Sequence, residues 1–263
     1  MKVRERVEFE AIPPRMKYAI IADIHSNLPA LKVVLEDIKA QKCTHTVCLG
    51  DIVGYHIYPK GCVDIIRGMN IPCIKGNHDD YCSTDAPLDG FNPLAAEAVR
   101  WTREQLTEDD RQWLLSLPLT MVVSGFTLVH ATLDGPHRWG YVFDKLAAAS
   151  HFAHQTTPIC FFGHTHIPVA FIRNTAIRGG TFSTFKVEPS KKYFINVGSV
   201  GRLRDNNPKA AYVTYDLDRQ IIELRRLDYP IPGAGEGGAN LPLKLGPHGG
   251  PRFLSVAKQV EKE

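Results

Sequence analysis

Asp23-Ile24-His25, Gly50-Asp51, Gly76-Asn77-His78-Asp79, His130 and Gly163-His164-Thr165-His166 each follow a short apolar run in this chain. Imidazole, carboxylate and amide oxygen are groups that bind borderline first-row cations, and the set contains no thiolate. Singly, each residue reads as a turn residue or cap, because Asp, Asn and His are ordinary turn residues. His164 and His166, two apart, would equally share one face of a strand. The fivefold repetition changes the reading. Ligands of open α/β sheets bind beyond the carboxyl ends of the strands, so five such ends would gather two Asp, one Asn and several His in one small volume. That much imidazole and carboxylate repels itself unless a cation sits inside. Seven such groups suffice for two ions if one carboxylate bridges them, and ions in two-metal sites lie ~3.5–4 Å apart. Mn²⁺, Fe²⁺/Fe³⁺ or Zn²⁺ suits this donor set better than Mg²⁺ alone.

The elements that must position these groups can be read from periodicity. Apolar runs at 18–22, 46–49 and 71–75 predict buried strands ending at Asp23, Gly50-Asp51 and Gly76-Asn77. Asn27 is placed to cap the next helix, which has Pro29 in its first turn and Leu31, Val34, Leu35 and Ile38 on one face. Further helices are predicted near 61–68, 94–106, 108–116 and 144–153, with 81–93 a loop. Residues 119–123 and 126–129, around Ser124-Gly125, predict a hairpin ending at His130, and 159–162 a strand ending at Gly163. From Val169 short strands follow at 169–172, 181–187, 192–197, 211–216 and 220–228. The alternating first half predicts a mostly parallel sheet and the β-rich second half a more antiparallel one. One domain is expected over 1–229, with 1–16 an extended leader. The Gly/Pro-rich stretch within 230–263 predicts an arm with a short terminal helix.

Composition narrows the class. The 263 residues are 44% hydrophobic and 22% charged, a soluble globular profile that can bury roughly three quarters of its unfolded surface. A net charge of +3 is too small to argue for nucleic acid or a membrane surface as the partner. Cys43, Cys48, Cys62, Cys73, Cys82 and Cys160 show no Cys-x-x-Cys spacing, and most sit in apolar runs. They predict buried thiols of a reducing compartment, not disulfides or a zinc cage. With no signal-peptide pattern and no apolar run near the ~18 residues of a membrane span, a cytoplasmic location is expected.

Asp-x-His, Gly-Asp, Gly-Asn-His-Asp, a lone His and Gly-His-x-His, in this order over residues 23–166, resemble the signature of the calcineurin-like metallophosphoesterases. Asn-Val-Gly-Ser-Val-Gly-Arg-Leu-Arg at 196–204 resembles the bacterial branch that includes small phosphodiesterases and diadenosine-polyphosphate hydrolases. The resemblance implies a four-layer α/β/β/α sandwich of two mixed β-sheets flanked by helices. It implies one metal on Asp23, His25, Asp51 and His166 and a second on Asp51, Asn77, His130 and His164. Asp51 would bridge, and His78 would be the general acid. The implied reaction is hydrolysis of phosphodiester or nucleotide polyphosphate bonds by hydroxide held on the two ions. Ser/Thr protein phosphatases follow their Gly-Asp with an Asp-Arg pair, where this chain has Gly54 and Tyr55, which argues against protein phosphatase activity. Adjacent Asp79 is a candidate to orient His78, or else a hydrogen-bonder within its own loop.

Other readings stay open. The retromer subunit of this fold is a binding scaffold without the catalytic features, and a phosphomonoesterase or an amidase could use a similar centre. The presence of His78 and every implied ligand favours an enzyme. Arg202, Arg204 and Lys209 could meet a polyphosphate or be solvated loop charges. Arg138 and Trp139 could offer a guanidinium and a stacking surface, or pack a loop. His56 could reach substrate or be an exposed loop histidine. A small phosphorylated or nucleotide substrate is the expected partner, and a homo-oligomer is compatible with the sequence.

Overall fold

Strand alternation divides the apolar residues of the chain among three separate cores, and those cores define its layers. The computed structural model describes residues 15–89 and 91–230. In chain order the elements are β1 (Lys17–Ile21), α1 (Leu28–Ala40), β2 (His45–Cys48), α2 (Pro59–Gly68), α3 (Asn77–Ser83), α4 (Pro93–Gln105) and α5 (Glu108–Ser116). β3 (Thr120–Val123), β4 (Phe126–Val129), a 3-10 turn at Pro136–Arg138, α6 (Lys145–His154), β5 (Ile159–Phe162) and β6 (Val169–Arg173) follow. β7 (Ile177–Gly180), β8 (Thr184–Lys186), β9 (Lys192–Asn196), β10 (Ala210–Asp216) and β11 (Ile221–Leu227) complete the series.

One sheet has the order β2-β1-β10-β11-β8 and the other β3-β4-β5-β9-β6-β7. Tyr18 and Ile20 of β1, Phe126 and Leu128 of β4, Phe161 of β5 and Val213 of β10 meet between the two sheets. Ala19 and Ile21, one residue out of phase, face the other way onto Leu31 and Val34 of α1, Val63 and Ile66 of α2 and Val99 of α4. Cys160 and Phe162 of β5 and Phe194 of β9 face Ala148 and Phe152 of α6. Helices, sheet, sheet and helix therefore stack as four layers, the architecture that the resemblance implied.

The sheets do not divide by chain half. In the first, β1 and β2 are parallel while β10, β11 and β8 join antiparallel. In the second, β4, β5 and β9 are parallel with antiparallel partners outside them. Both are mixed: the first because β10 pairs antiparallel with β1 from the far end of the chain, the second because β3 and β6 pair antiparallel with the ends of its parallel β4-β5-β9 core. The strand expected at 71–75 is reduced to a single bridge, Cys48 to Cys73, since Pro72 has no N–H to donate. The expected loop 81–93 begins inside α3. β7 carries no periodic apolar signal, ending in Gly179-Gly180, and is held by pairing with β6, where Gly179 lies opposite Phe171. At the predicted hairpin, Ser124 and Gly125 both have positive φ, as a tight two-residue turn between twisted strands demands.

All six cysteines are unpaired and five are buried. Among the described residues no helix is long and apolar enough to cross a membrane. The expected leader, apart from Arg15 and Met16, and the expected arm, apart from Pro230, lie outside the described residues.

α1 follows directly on Asp23 and His25, and one carboxylate ties it to the sheet beneath. Asp37 accepts from Tyr212 Oη at 2.6 Å and from Arg225 Nε and Nη2 at 3.1 Å each. Burial alone would raise the Asp37 pKa, but the bonds from Arg225 and Tyr212 outweigh it and hold it below the ordinary carboxylate value. Its stabilisation is complete above the unfolded pKa of ~3.9 and is lost as pH falls through the lower folded value. Asp37→Ala is expected to cost about 2–3 kcal/mol near neutral pH. The gap between thermal melts of wild type and variant should be full near neutral pH and narrow as pH falls below about 3.9; a gap independent of pH would remove the ion pair from the account.

Candidate metal centre

Four loops at one edge of the sandwich are laced together by backbone and side-chain hydrogen bonds. Asp23 N–H donates to Gly50 O at 3.0 Å, His25 N–H to Asp51 O at 2.9 Å and Ser26 N–H to Ile52 O at 2.9 Å. Asn196 Nδ2 donates to Gly163 O (2.6 Å) and Thr165 Oγ1 (2.9 Å), while Ser199 Oγ donates to Asp23 O at 2.8 Å. The Asn196–Ser199 stretch thus joins the Gly-His-x-His loop to the Asp-x-His loop. Asp23, His25, Asp51, His164 and His166 all have φ between 48° and 64°. Left-handed backbone costs a side-chain-bearing residue of order 1–3 kcal/mol, and such strain clusters at functional sites.

The result is a buried cluster. Donor atoms of Asp23, His25, Asp51 and His166 lie within 4.8 Å of one another, as do those of Asp51, His130 and His164. Asp51 belongs to both groups: its Oδ2 is 3.5 Å from His25 Nε2 and 3.4 Å from His130 Nε2. His166 Nε2 is 3.1 Å from His25 Nε2 and 3.2 Å from Asp23 Oδ1. Asn77 Oδ1 lies 3.2 Å from His130 Nε2, beside the second group. All seven residues singled out in the sequence therefore converge.

The supporting contacts turn ring nitrogens inward. His25 Nδ1 lies 3.1 Å from Val53 O and His130 Nδ1 2.8 Å from Leu49 O. A carbonyl only accepts, so in each ring Nδ1 carries a proton and Nε2 is the nitrogen turned toward the cluster, the arrangement in which a second hydrogen bond orients a metal-binding histidine. His164 Nε2 is buried with no hydrogen-bond partner. Asp23 takes the His164 backbone N–H on both oxygens, at 3.1 and 3.0 Å. A Cβ on Gly76 would collide with the Asp51 carboxylate, which explains the glycine that opens Gly-Asn-His-Asp.

Charge inside the cluster is unbalanced. Burial pushes the Asp23 pKa up, only partly offset by His130, and Asp51 raises it further. Burial would raise Asp51 too, but His130 and His78 outweigh it and keep that carboxylate ionised. Burial pushes His164 down to about 3 and lowers His25 and His166 well below the usual imidazole value. Burial would lower His130 too, but Asp51 outweighs it and raises that ring to about 10, so His130 supplies a strong positive charge beside the carboxylates. Imidazoles and buried carboxylates form the donor set of a borderline divalent cation, whose charge would take the place of that proton and offset the desolvation of both Asp residues. The residues present fit such ions.

His78 lies inside this shell, not at an open rim: it is 4% exposed. Its backbone N–H donates to Asp51 Oδ1 at 2.8 Å, and its ring centroid is 4.8 Å from that of His25 and 4.5 Å from that of Tyr55. Arg202 lies over the Tyr55 ring, its Cζ 3.6 Å from the centroid. Gly54, at φ 90°, leaves the space into which the His78 imidazole fits. Asp79 does not orient the ring. Its Oδ1 accepts from Ile52 N (2.8 Å) and Val53 N (3.2 Å) and its Oδ2 from Gly76 N (3.0 Å), which makes it the hydrogen-bonder of the loop. Tyr55, singled out in the sequence only as standing where protein phosphatases have an arginine, is a ring neighbour of His78 that the sequence reading did not foresee.

The other candidates separate. His56 is half-buried and its Nδ1 donates to His25 O at 2.8 Å, so it supports the first loop. Arg202 is buried and Arg204 half-buried, and both lie near enough for their charges to bias His25 and His166. Arg138 is exposed and paired with Asp134 at 3.2 Å. Lys209 pairs with Asp228 at 2.8 Å. Trp139 stands edge-on to His130, ring centroids 5.9 Å apart, and Tyr141 stacks on His164 at 4.2 Å. Tyr141 was not foreseen either.

Comparison with known proteins agrees with this geometry. The calcineurin-like phosphoesterase superfamily domain matches residues 16–220. An uncharacterized protein of Methanocaldococcus jannaschii is 37% identical over 225 residues, covering 83% of this chain and 90% of that protein. The crystal structure of a metallophosphoesterase from Sphaerobacter thermophilus is 37% identical with a TM-score of 0.70, over 82% of this chain and 89% of that one. A hypothetical protein from Pyrococcus horikoshii shares the fold at 18% identity and a TM-score of 0.67, over 82% and 89%. The matched span runs from the first strand past every loop of the cluster, and the chain belongs to the calcineurin-like phosphoesterase superfamily.

Proposed function

We propose that the protein is a two-metal phosphoesterase that hydrolyses phosphodiester or nucleotide polyphosphate bonds. Asp23, His25, Asp51 and His166 hold one divalent transition-metal ion, and Asp51, Asn77, His130 and His164 the other. The observation that carries the proposal is the sharing of Asp51 between two buried donor groups. Bound there, such ions would bring the pKa of water toward neutrality and offset negative charge on phosphoryl oxygens.

The chain's own residues do the rest. Asp51 Oδ2, between His25 and His130, keeps the two halves of the centre in register. His78 gives a proton to the departing alkoxide. Burial pushes its pKa down to about 4, and an anionic phosphoryl group beside it would favour the protonated form that an acid needs. Arg202 and Arg204 add positive charge close enough to bias His78, His25 and His166. Tyr55 in place of the arginine of protein phosphatases removes a grip on the extra charge of a monoester, which supports a preference for diesters. A scaffold without catalysis is disfavoured by the complete donor set. Six unpaired thiols support a cytoplasmic location.

Elemental analysis of purified or Mn²⁺-reconstituted protein is expected to find close to two transition-metal ions per chain. Chelators should abolish hydrolysis and Mn²⁺ restore it, with diesters and dinucleoside polyphosphates turned over faster than monoesters. Failure to retain any metal would overturn the centre, and faster turnover of sugar monoesters would overturn the substrate class.

A further inference from the structure

We infer that Tyr141 and Phe143 form a stacking platform for an aromatic base, so that the phosphoryl substrate carries a nucleoside on one side. This rests on the phosphoesterase reading above and adds to it the identity of one substituent. Trp139, Tyr141 and Phe143 alternate with Gly140 and Val142 along a non-helical segment. Val142 is buried in the core beneath α6 and anchors the segment. The aromatic residues are directed to the metal centre: Trp139 meets His130 and Tyr141 stacks on His164, with ring planes 24° apart. Phe143 continues the stack, 5.3 Å from Tyr141 and within 7° of parallel.

The two outer rings are nevertheless left open to solvent, Tyr141 at 51% and Phe143 at 61% exposure. Scattered apolar side chains on a surface need no explanation, but a contiguous aromatic patch beside a buried site marks a surface meant to be covered. What covers it follows from its position. A phosphate at the cluster lies beside His164, so a group attached to that phosphate is brought against the stack that starts on His164. Flat, nearly parallel rings suit a flat ligand. A nucleobase stacks on such rings with about 1–3 kcal/mol, whatever its sequence identity. Beside the platform lies a cleft of about 290 Å³ lined by Thr132, Asp134, Arg138, Tyr141 and Ser150, among others. Asp134 holds Arg138 at 3.2 Å and accepts from Ser150 Oγ, so polar groups for a ribose or a base edge are fixed in place before binding.

Two comparisons test this on the full-length, Mn²⁺-loaded protein. Binding of AMP and of ribose 5-phosphate is measured by titration calorimetry, and hydrolysis of their methyl phosphodiesters by product release. Each pair differs only by adenine. AMP is expected to bind about tenfold tighter, with a similar bias in kcat/KM for its ester. Phe143→Ala should lower AMP affinity about tenfold more than ribose 5-phosphate affinity, and Phe143→Trp should keep the bias. Equal binding of the two ligands to wild type, or a bias untouched by Phe143→Ala, would overturn the platform. So would a wild-type dimer that buries the patch and shows no base preference. Hydrolysis of both esters at equal rates would overturn the platform while leaving the phosphoesterase standing. A base preference in binding with neither ester hydrolysed would overturn the phosphodiesterase and retain a nucleotide site.

Discussion

Asp51→Asn is expected to cost the centre its metal and its activity together. The other ligand residues belong to one donor group each, whereas Asp51 belongs to both. Its Oδ1 also takes the His78 backbone N–H at 2.8 Å, which links the centre to the helix carrying the proposed acid. Asparagine has the same shape but replaces an oxygen by an N–H₂ and removes the negative charge between His25 and His130. Outer-shell substitutions at metal sites typically cost ~10–100-fold in affinity or activity, and loss of a shared ligand should exceed that. Asn77→Ala, which removes a neutral oxygen from one group only, should cost less. Metal content and kcat/KM measured at saturating Mn²⁺ decide the matter. Retention of both ions and of wild-type rate in Asp51→Asn would end its bridging role.

His78→Ala should separate substrates by their leaving groups. The ring is enclosed by His25, Tyr55 and the bare backbone of Gly54, and its Nδ1 has no hydrogen-bond partner. An alkoxide needs a proton to leave, and a nitrophenolate leaves readily without one. General acid catalysis is worth ~10²–10⁴-fold, so losses of that order are expected on alkyl or nucleoside esters and much smaller ones on p-nitrophenyl esters. Both metals should stay bound. Loss of metal would make His78 a ligand and displace Asn77. Equal losses on both ester classes with metal retained would assign His78 to the phosphoryl oxygens and leave the acid elsewhere.

The amino-acid sequence by itself determined the parts of this protein that depend on neighbours along the chain. Apolar runs of strand length locate β1, β2, β4 and β5, and the residue types at their ends identify the cluster. The Asn27 cap, the Ser124-Gly125 turn and the helices from Pro93 to Ser116 are equally local. Because every candidate ligand lies just beyond a strand end or the single bridge, on a loop or, for Asn77, in the first turn of α3, knowing the strands was enough to gather the ligands. Partners distant in sequence were decided only by the tertiary structure. β1 pairs with β10, Lys17 opposite Asp216, and no periodicity in either segment specifies the other. That pairing made the first sheet mixed, and the antiparallel joining of β3 to β4 and of β6 to β9 did the same for the second, where each half of the chain suggested a sheet of its own. Proline at 72 removed a ladder donor and left the expected third strand as one bridge. Asp79 was adjacent to His78 in sequence, yet its oxygens went to the Ile52, Val53 and Gly76 amides, because helix α3 turns it away from the ring. Tyr55, with Arg202 from 147 positions away over its ring, packs beside His78 instead, and Tyr141 stacks on His164. Ring stacking and charge placement of that kind depend on which loops the completed sandwich brings to one edge, a property that no single stretch of chain contains.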